Sequence, residues 1–456
     1  MVLVNANPLQ SAWNAGELSP RLAARTNFDK YKNGASVLEN MIPLTEGGAT
    51  RRSGTRYVAD VKTGTSTTRL KPFQFSTTQT YPLEFGDEYI RFFRNQGQIA
   101  AGATDGSVTN GTFGSDIAGW NTSSSQGAGY AAWSSSDGGS MNFTLVSSSD
   151  TADVDQTITV SSSLIANEHI AKFHVIGNAG DALTFKVGTS SSQTDLVSAI
   201  EKPVGYHAVP FTPNSTQISL QFSYLGTLKA IDVPSSGSWQ VDVALDDVEI
   251  ISNSILELQS PWGSSQLFEL EGPQSADVLY LLNNNTAPHK LTRRGHTDWS
   301  FEQPLFIDGP YLDQNNTDTT LSTNSTDGRQ VTVTASAVTG INDGGGFGSS
   351  DIGRLIRLSA ASTSAPNWGW GLIIGSTGTT TVTVDVKRDF PSTNATTEWR
   401  LGSWSDETGW PGVGAFHQQR LVLARSTDQP QTKWYSQTGD FENMAPDSAS
   451  SSEWDG

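Results

Sequence analysis

The sequence predicts a mainly β protein with several domains. Glycine supplies 44 of the 456 residues and charged side chains only 16%, against roughly 7% and 25% in ordinary domains. Turns and uncharged polar surface should therefore predominate over salt-bridged helices, which disfavours a helical bundle. At about 100 to 200 residues per domain, the length predicts two to four domains.

Short segments with alternating apolar residues indicate the strands. LKPFQFS and YPLEFGDEYIRFFR, which begin at Leu70 and Tyr81, alternate with period two and reverse at GDE, so they predict a β-meander. Further strands are predicted near Val331, Val382 and Leu421, each bounded by Gly, Asn, Asp or Ser.

One short helix is predicted, from Gly34 to Ile42. Its apolar side chains fall on one helical face and a proline ends the run, the residues being Val37, Leu38, Met41, Ile42 and Pro43.

The segment WQVDVALDDVEII predicts a strand with a break in its alternation. Trp239, Val241, Val243 and Leu245 point to one face, whereas the apolar residues from Val248 onward are one residue out of step. The Asp-Asp pair between these two sets must absorb the shift, and a β-bulge is the usual way for a sheet to do so.

Charge and composition divide the chain. Residues 1–71 hold ten basic and five acidic side chains, a net charge of +5. Because the whole chain has a net charge of −18, the remaining residues must carry −23. Residues 103–252 contain four lysines, no arginine and fifteen acids, which predicts an inserted domain that folds by itself. The predicted parts are 1–102, an N-terminal framework; 103–252, an inserted β-sandwich; 253–320, a return to the framework; 321–405, a small β domain; and 406–456, a final set of strands.

Several classes of protein are disfavoured. Cysteine is absent, which excludes disulfide scaffolds, thiolate zinc sites and cysteine nucleophiles, and fits assembly in a reducing cytoplasm. The N-terminal MVLVNANPLQSAW lacks the features of a signal peptide, and no segment approaches the roughly 20 apolar residues of a membrane-spanning helix. The net charge disfavours a protein that coats nucleic acid.

No motif indicates catalysis. H-E-x-x-H, G-x-S-x-G and the P-loop pattern are all missing, and the six histidines are scattered. We therefore expect neither an enzyme nor a cofactor.

Dispersed motifs in about half the chain resemble one family. They are NAGELSPRLAART, NFDKYKNGASVLENMIPLTEGGATRRSGTRYVAD, LELQSPW, SADVLYLLNNNTAPHKLTRRGHTDWSFEQPLFIDGPYL, WRLGSWSDETGWPG and FHQQRLVLARSTDQPQTKWYSQTGDFENM. Together they resemble the tail nozzle, or tail tubular protein B, family of short-tailed phages. The resemblance implies a virion tail protein that forms a homo-oligomeric ring, taken as a hexamer. Such a ring lies below an adaptor or gatekeeper ring, with tail fibres as further partners, and conducts genomic DNA.

The segments that depart from this family carry their own resemblances. NGTFGSDIAGW and VALDDVEI are similar to carbohydrate-binding modules with a jelly-roll fold, which often hold a structural calcium ion. Asp247 matches one expected ligand, but Gly114 stands where the other acid is expected. Among the aromatic residues that could stack on sugar rings, Tyr130 and Trp133 remain as candidate glycan contacts, because the resemblance places Trp120 inside and Trp239 is expected in the sandwich core. The last strands resemble propeller blades, too few to close a propeller.

Two charged groups are candidate sites. Arg51, Arg52 and Arg56 lie close together in TRRSGTR; they could clamp acids of a neighbouring subunit, form a solvated loop or contact DNA. The resemblance places a second group at the conduit, namely Asp428, Asp440 and Glu442, for which exterior solubility is the competing explanation.

The sequence thus predicts a structural ring subunit of the phage tail, whose acidic lumen would let DNA slide without sticking. The alternative is a tail adhesin that binds host glycans through residues 103–252.

Overall fold

The structure is a computed structural model that describes residues 9–122, 125, 127–145, 150–191, 193–225, 243–360 and 367–446. The chain divides into two units, Met1–Ala59 and Asp60–Gly456. We call the described residues of the first unit the arm and those of the second unit the body.

The protein is mainly β, as the sequence predicts, and the described residues contain no α-helix. Short turns of 3₁₀-helix lie at Pro20–Leu22, Asp29–Asn33, Ser136–Gly138, Leu267–Glu269, Asn342–Gly344 and Ser349–Asp351. Across the same residues, no helix has the length and apolar character needed to cross a membrane.

The arm contains two pairs of very short strands. Strand β1 (Gly16–Glu17) runs parallel to β2 (Gly34–Ala35), and β3 (Met41–Pro43) forms an antiparallel hairpin with β4 (Ala49–Arg51). The helix predicted from Gly34 to Ile42 is therefore wrong. Asn40 adopts the left-handed conformation, with φ of 57°, which breaks a right-handed helix just before the hairpin begins.

The predicted β-meander opens the body and is confirmed. Its strands are β5 (Arg69–Gln74), β6 (Thr80–Gly86), β7 (Tyr89–Arg94) and β8 (Gly97–Gln98). Phe73, Leu83 and Phe85 are fully buried, as their alternation predicts. Phe75 instead lies outside, with the Arg293 guanidinium carbon 3.8 Å from its ring centre.

Residues 103–252, which we call the insert, form a β-sandwich. The strands are β9 (Tyr130–Ser134), β10 (Ser140–Thr144), β11 (Thr151–Thr159), β12 (His169–Ile176), β13 (Ala182–Gly188), β14 (Val197–Pro203), β15 (Gly205–Phe211), β16 (Gln217–Leu225) and β17 (Val243–Ile251). One layer has the order β15-β12-β17-β10-β9 and the other β11-β16-β13-β14. The core between them includes Trp120, which packs on Phe113 and Phe222 as expected for an inside position.

The predicted break in β17 is confirmed. Pairing with β12 shifts between Lys172–Glu249 and His174–Asp246, which leaves an extra residue on β17. Asp247 takes φ of 50° there. Leu245 and Val248, on either side, are both buried, so the bulge keeps the two apolar sets on the core face. Trp239 and Val241 lie outside the described residues.

The chain then returns to the meander. Strands β18 (Glu257–Gln259), β19 (Gln274–Ser275), β20 (Val278–Asn283), β21 (Thr286–Arg293) and β22 (Trp299–Glu302) follow, and β18 pairs with β7. An antiparallel bridge joins Ala100 to Ile255, directly beside the points where the insert begins and ends. We call β5–β8 and β18–β22 the framework.

The insert and the framework share one sheet. Strand β15 pairs with β22, which produces a nine-stranded sheet, β19-β20-β21-β22-β15-β12-β17-β10-β9. Ile170, Ala208 and Ile251 of the insert belong to the framework core around Trp299. The expectation of a self-contained insert therefore needs correction, because part of its apolar surface completes another core.

A small curved sheet follows within residues 321–405. It comprises β23 (Leu321–Thr323), β24 (Val331–Ala335), β25 (Leu355–Ser359), β26 (Trp368–Gly378), β27 (Thr381–Arg388) and β28 (Trp399–Leu401), in the order β23-β24-β27-β26-β25-β28. A bridge between Leu321 and Thr396 brings the two ends together, so the sheet curls around its own apolar core.

The last described strands form a propeller-blade-like meander, made of β29 (Val413–His417), β30 (Arg420–Ala424) and β31 (Lys433–Tyr435). They cover the second face of β20. Leu279 and Leu281 of that strand point into the framework core, whereas Tyr280 and Leu282 point into the core of the meander. Strand β20 is therefore buried on both faces.

Candidate functional site

The predicted arginine group lies on and after the β3–β4 hairpin. Arg51 ends β4 opposite Met41, so these two side chains share one face. The Nε of Arg52 donates to the Asn40 side-chain oxygen at 2.8 Å, and Arg56 follows in an irregular segment. All three arginines are exposed, and the hydrogen bond to Asn40 holds Arg52 in place.

The arm has almost no buried core of its own. Gly47 is its one buried residue among positions 9–59. Its large apolar side chains are exposed instead, including Val37 (63%), Ile42 (50%) and Tyr57 (72%). None of the arm's residues belongs to a described apolar core. A segment with this much open apolar surface is typical of an interaction site.

Charge sets the arm apart as well. Positions 1–59 hold seven basic and four acidic side chains, a net of +3, so the remaining chain carries −21. The hairpin thus presents apolar and cationic groups together, a combination suited to an acidic protein surface.

The three predicted channel acids have different environments. Asp428 and Asp440 are exposed, and Asp440 accepts a hydrogen bond from the Asn443 amide at 3.1 Å. Glu442 instead forms an ion pair with Lys290 at 2.7 Å and accepts a hydrogen bond from the Tyr280 hydroxyl. Because its charge is already matched within the chain, Glu442 is a poor candidate for a channel lining.

The two suggested glycan contacts do not form one platform. Tyr130 and Trp133 both lie on β9 and are 46% and 40% exposed. They are three residues apart, so they point to opposite faces of the strand. The indole of Trp133 also donates to the Phe113 carbonyl oxygen at 2.6 Å, which holds its edge against the sandwich.

The suggested calcium ligand, Asp247, does not belong to a cluster of acidic or histidine side chains among the described residues. Asp247 lies at the β17 bulge, where its carboxylate is 3.4 Å from the Gln259 amide nitrogen. Among the described residues, no group of three or more His, Asp or Glu side chains could hold a metal ion. Asp247 takes the left-handed backbone conformation at the bulge, with φ of 50°.

A buried ion pair that the sequence did not indicate joins the insert to the small β domain. Arg329 contacts both carboxylate oxygens of Asp181, at 2.8 and 2.5 Å, and Asp385 lies 3.5 Å away. Asp181 is fully buried. Burial opposes the charge of Arg329, but the two carboxylates together raise its pKa above the ordinary value.

A second buried polar group joins the insert to the framework. Ser300 on β22 lies 2.9 Å from Nδ1 of His207 on β15, and Nζ of Lys202 lies 3.5 Å from the same hydroxyl. Burial lowers the pKa of Lys202 to about 8 and that of His207 well below its usual range.

The Ser-His pair has no access to a substrate. Ser300 and His207 are both 0% exposed, and Nε2 of the imidazole bonds the Pro203 carbonyl oxygen at 2.7 Å. The pair therefore ties two strands together. A separate crevice is lined mainly by apolar side chains such as Leu305, Phe306 and Trp404, and none of its lining residues is charged.

Comparison with known proteins adds no family. No family model matches the chain, and no curated protein is significantly similar to it. The resemblance to tail nozzle proteins stays a prediction from the sequence motifs.

Proposed function

We propose that the protein is a structural subunit of a homo-oligomeric ring that forms part of the DNA-ejection channel in a short-tailed phage tail. The observation that carries the proposal is the arm, which exposes apolar and basic side chains and has one buried residue among positions 9–59. Such a segment is suited to binding another surface, and the acidic body of a second copy has the complementary charge.

A repeated contact of this kind generates a ring. When the arm of one copy binds the body of the next, the interface is heterologous, and identical heterologous contacts close into a ring if the rotation permits. The resemblance suggests six copies, stacked below an adaptor or gatekeeper ring.

The negative charge of the body suits a conduit for DNA. Each copy contributes the exposed Asp428 and Asp440, and a ring multiplies this charge around its axis. Negative potential within about 8 Å, the Debye length at physiological salt, repels phosphates. DNA would then pass through without the counterion release that holds a DNA-binding protein in place.

Glycan binding by the insert has less support. Its two exposed aromatic side chains point to opposite faces of β9, and the insert is continuous with the framework sheet. Both features fit a wall of the assembly better than an independent sugar-binding module.

Assembly of three proteins tests the proposal, namely the full chain, a chain lacking residues 1–59, and the double variant Arg51→Glu/Arg52→Glu. We expect the full chain to form a closed oligomer and the other two to stay monomeric, because like charges across an interface cost roughly several kcal/mol. Native mass spectrometry and light scattering after size-exclusion chromatography give the copy number.

The matched control is Arg425→Glu/Lys433→Glu, which makes the same charge change at exposed positions of the C-terminal meander. It should assemble normally. Unchanged assembly of the chain without its arm would refute the arm-based ring. Imaging of labelled subunits in particles then tests the location in the tail.

A further inference from the structure

Strand β5 ends the framework sheet β18-β7-β6-β5, so one of its edges has no partner strand among the described residues. Pro72 lies opposite Pro82 on β6, and neither residue has an N–H group, so this pair is not hydrogen-bonded. Bonded and non-bonded pairs alternate along antiparallel strands. The backbone groups of Leu70, Pro72 and Gln74 therefore point away from β6, toward the open edge.

Only part of this edge of β5 is available. The Gln274 side chain donates to the Gln74 carbonyl oxygen at 2.8 Å and accepts from the Gln74 N–H at 3.0 Å, which closes that end. The N–H and carbonyl of Leu70 and the carbonyl of Pro72 have no partner within the described part of the chain. Leu70 is 68% exposed, so the open part of the edge carries an exposed apolar residue.

The arm hairpin has an open edge on β4. The Arg52 N–H donates to the Asn40 carbonyl oxygen at 3.0 Å, so this pair is bonded and the next pair, Arg51 with Met41, is not. The backbone groups of Arg51 and Ala49 thus point away from β3. In the described residues these groups have no hydrogen-bond partner, so β4 can accept a further strand.

The two open edges match in an antiparallel pairing. Arg51 can be set opposite Leu70, and each N–H then faces the carbonyl of the other residue. Ala49 falls opposite Pro72 and can donate to its carbonyl. The next position on β4 is Gly47, whose carbonyl oxygen already accepts a backbone N–H of the arm at 2.7 Å. This glycine would meet the closed end of β5, so both strands stop at the same point.

Side chains around the open edge of β5 suit the arm. The two cations of the strand, Arg69 and Lys71, donate to the Leu270 carbonyl oxygen at 2.8 and 2.9 Å. Phe268 and Glu269 beside them are exposed, and Glu269 forms no ion pair within the described residues. The hairpin exposes apolar side chains and arginines. The apolar groups can cover each other, and Glu269 attracts the arginines.

We propose that β5 pairs with β4 of a neighbouring copy, so that the arm adds a strand to the framework sheet of the next subunit. This inference rests on the proposed function, since it names the surface that the arm binds. Addition of a strand to an exposed sheet edge gains affinity from main-chain hydrogen bonds. It also covers an edge that would otherwise promote aggregation.

Cysteine cross-linking tests the pairing directly, because the chain has no cysteine of its own. Ala49→Cys and Pro72→Cys are made in separate full-length chains, which are mixed and oxidised. We expect a disulfide between copies, since directly opposed residues of antiparallel strands lie within disulfide reach. In the control, Glu201→Cys replaces Pro72→Cys. Glu201 is an exposed residue of β14, another edge strand, and should cross-link at least tenfold less.

A backbone variant tests the hydrogen bonds. Leu70→Pro removes the N–H that points to the open edge and leaves the pairing with β6 intact. Assembly followed by light scattering should then require a protein concentration at least tenfold higher, while the thermal transition of the body stays. Leu70→Ala is the matched control, because it shortens the side chain and keeps the N–H, and its effect should be smaller.

The proposal is overturned if the mixed chains cross-link no more than the control, or if Leu70→Pro assembles as well as Leu70→Ala. A double variant, Ala49→Cys/Pro72→Cys, that forms only a disulfide within one chain would overturn it too, because the arm would then bind its own body. A closed ring without the cross-link would keep the proposed function and reject the edge pairing. A cross-link without a closed ring would support the pairing and reject the ring.

Discussion

The arm and the insert both differ in composition from the rest of the chain, yet the insert buries its apolar side chains whereas the arm exposes them. The insert buries a large core, extends a sheet of the framework and contributes Asp181 to a buried ion pair. The arm has strands of two or three residues and one buried residue. A shift in composition therefore does not reveal whether a segment is an appendage. What distinguishes the two segments is whether their apolar side chains are buried in a core of the chain.

The largest effect should come from deleting the insert by joining Gly102 to Asn253. The two ends are adjacent, because the Asn253 amide donates to the Gly102 carbonyl oxygen at 3.1 Å. The deletion nevertheless removes Ile170 and Ile251 from the framework core. At roughly 2 to 5 kcal/mol each, these losses approach a total stability of about 5 to 15 kcal/mol. We expect an aggregated or unfolded product by circular dichroism and size-exclusion chromatography.

The matching experiment for the arm is the deletion of residues 1–59. The body should keep its thermal transition, because no described core includes a residue of the arm. A soluble, folded chain without the insert, or a body that unfolds without the arm, would reverse the comparison.

A smaller loss is expected from Asp181→Asn, which leaves Arg329 buried without its two-oxygen partner. Removing one member of a buried pair costs roughly 3 to 5 kcal/mol, and Asp385 at 3.5 Å favours the lower end. Urea unfolding measures the change.

Two further variants sharpen this test. Asp318→Asn changes an exposed carboxylate and should shift the unfolding free energy by no more than about 0.5 kcal/mol. Asp181→Leu combined with Arg329→Met should recover most of the stability, since the loss arises from an unpaired charge. A double variant as unstable as Asp181→Asn would contradict that origin.

The smallest effect concerns pH at the junction of insert and framework. Burial lowers the pKa of Lys202 from 10.5 to about 8. Above pH 8 the unfolded chain keeps a proton that the folded chain releases, so the free energy of unfolding increases with pH. Between pH 8 and 9.5 the gain should be about 1.6 kcal/mol, somewhat less than the full 1.36 kcal/mol per pH unit, because half of the folded chains still hold the proton at pH 8.

Lys202→Met should lack this increment. Lys71, whose pKa burial also lowers to about 8, is present in both proteins and cancels in the difference. Identical pH profiles of the two proteins would show that Lys202 does not titrate in this range.

Local patterns predicted much of the fold. The alternation around Leu83 and the break before Val248 depend on neighbours along one strand, and both are confirmed. The helix from Gly34 to Ile42 failed because nine residues contain too few turns to distinguish a helical face from a hairpin, and Asn40 reverses the chain.

Patterns within one strand could not predict the contacts between segments that are distant in the sequence. Asp181 meets Arg329 across 148 residues, and Lys290 meets Glu442 across 152. Neither pair has a local signal, since any of the chain's 46 acids could have been the partner. Arg357 and Arg400 have a partial signal, because each is the single charged residue in an apolar strand. Which side chains then gather around them depends on the order of the strands.

Two strands that pair in the framework, β7 and β18, are synthesised far apart in time on the ribosome. Strand β7 leaves the ribosome long before β18, since Arg91 pairs with Glu257, 166 residues later. At about 5 to 20 residues per second, that interval lasts roughly 8 to 33 seconds. During this interval the apolar face of the meander, with Phe73 and Phe85, is exposed, because Trp262 and Trp299, which cover it in the folded protein, have not yet been synthesised. We therefore expect slower translation or lower temperature to alter the soluble yield, and a chaperone that shields apolar surface to raise it.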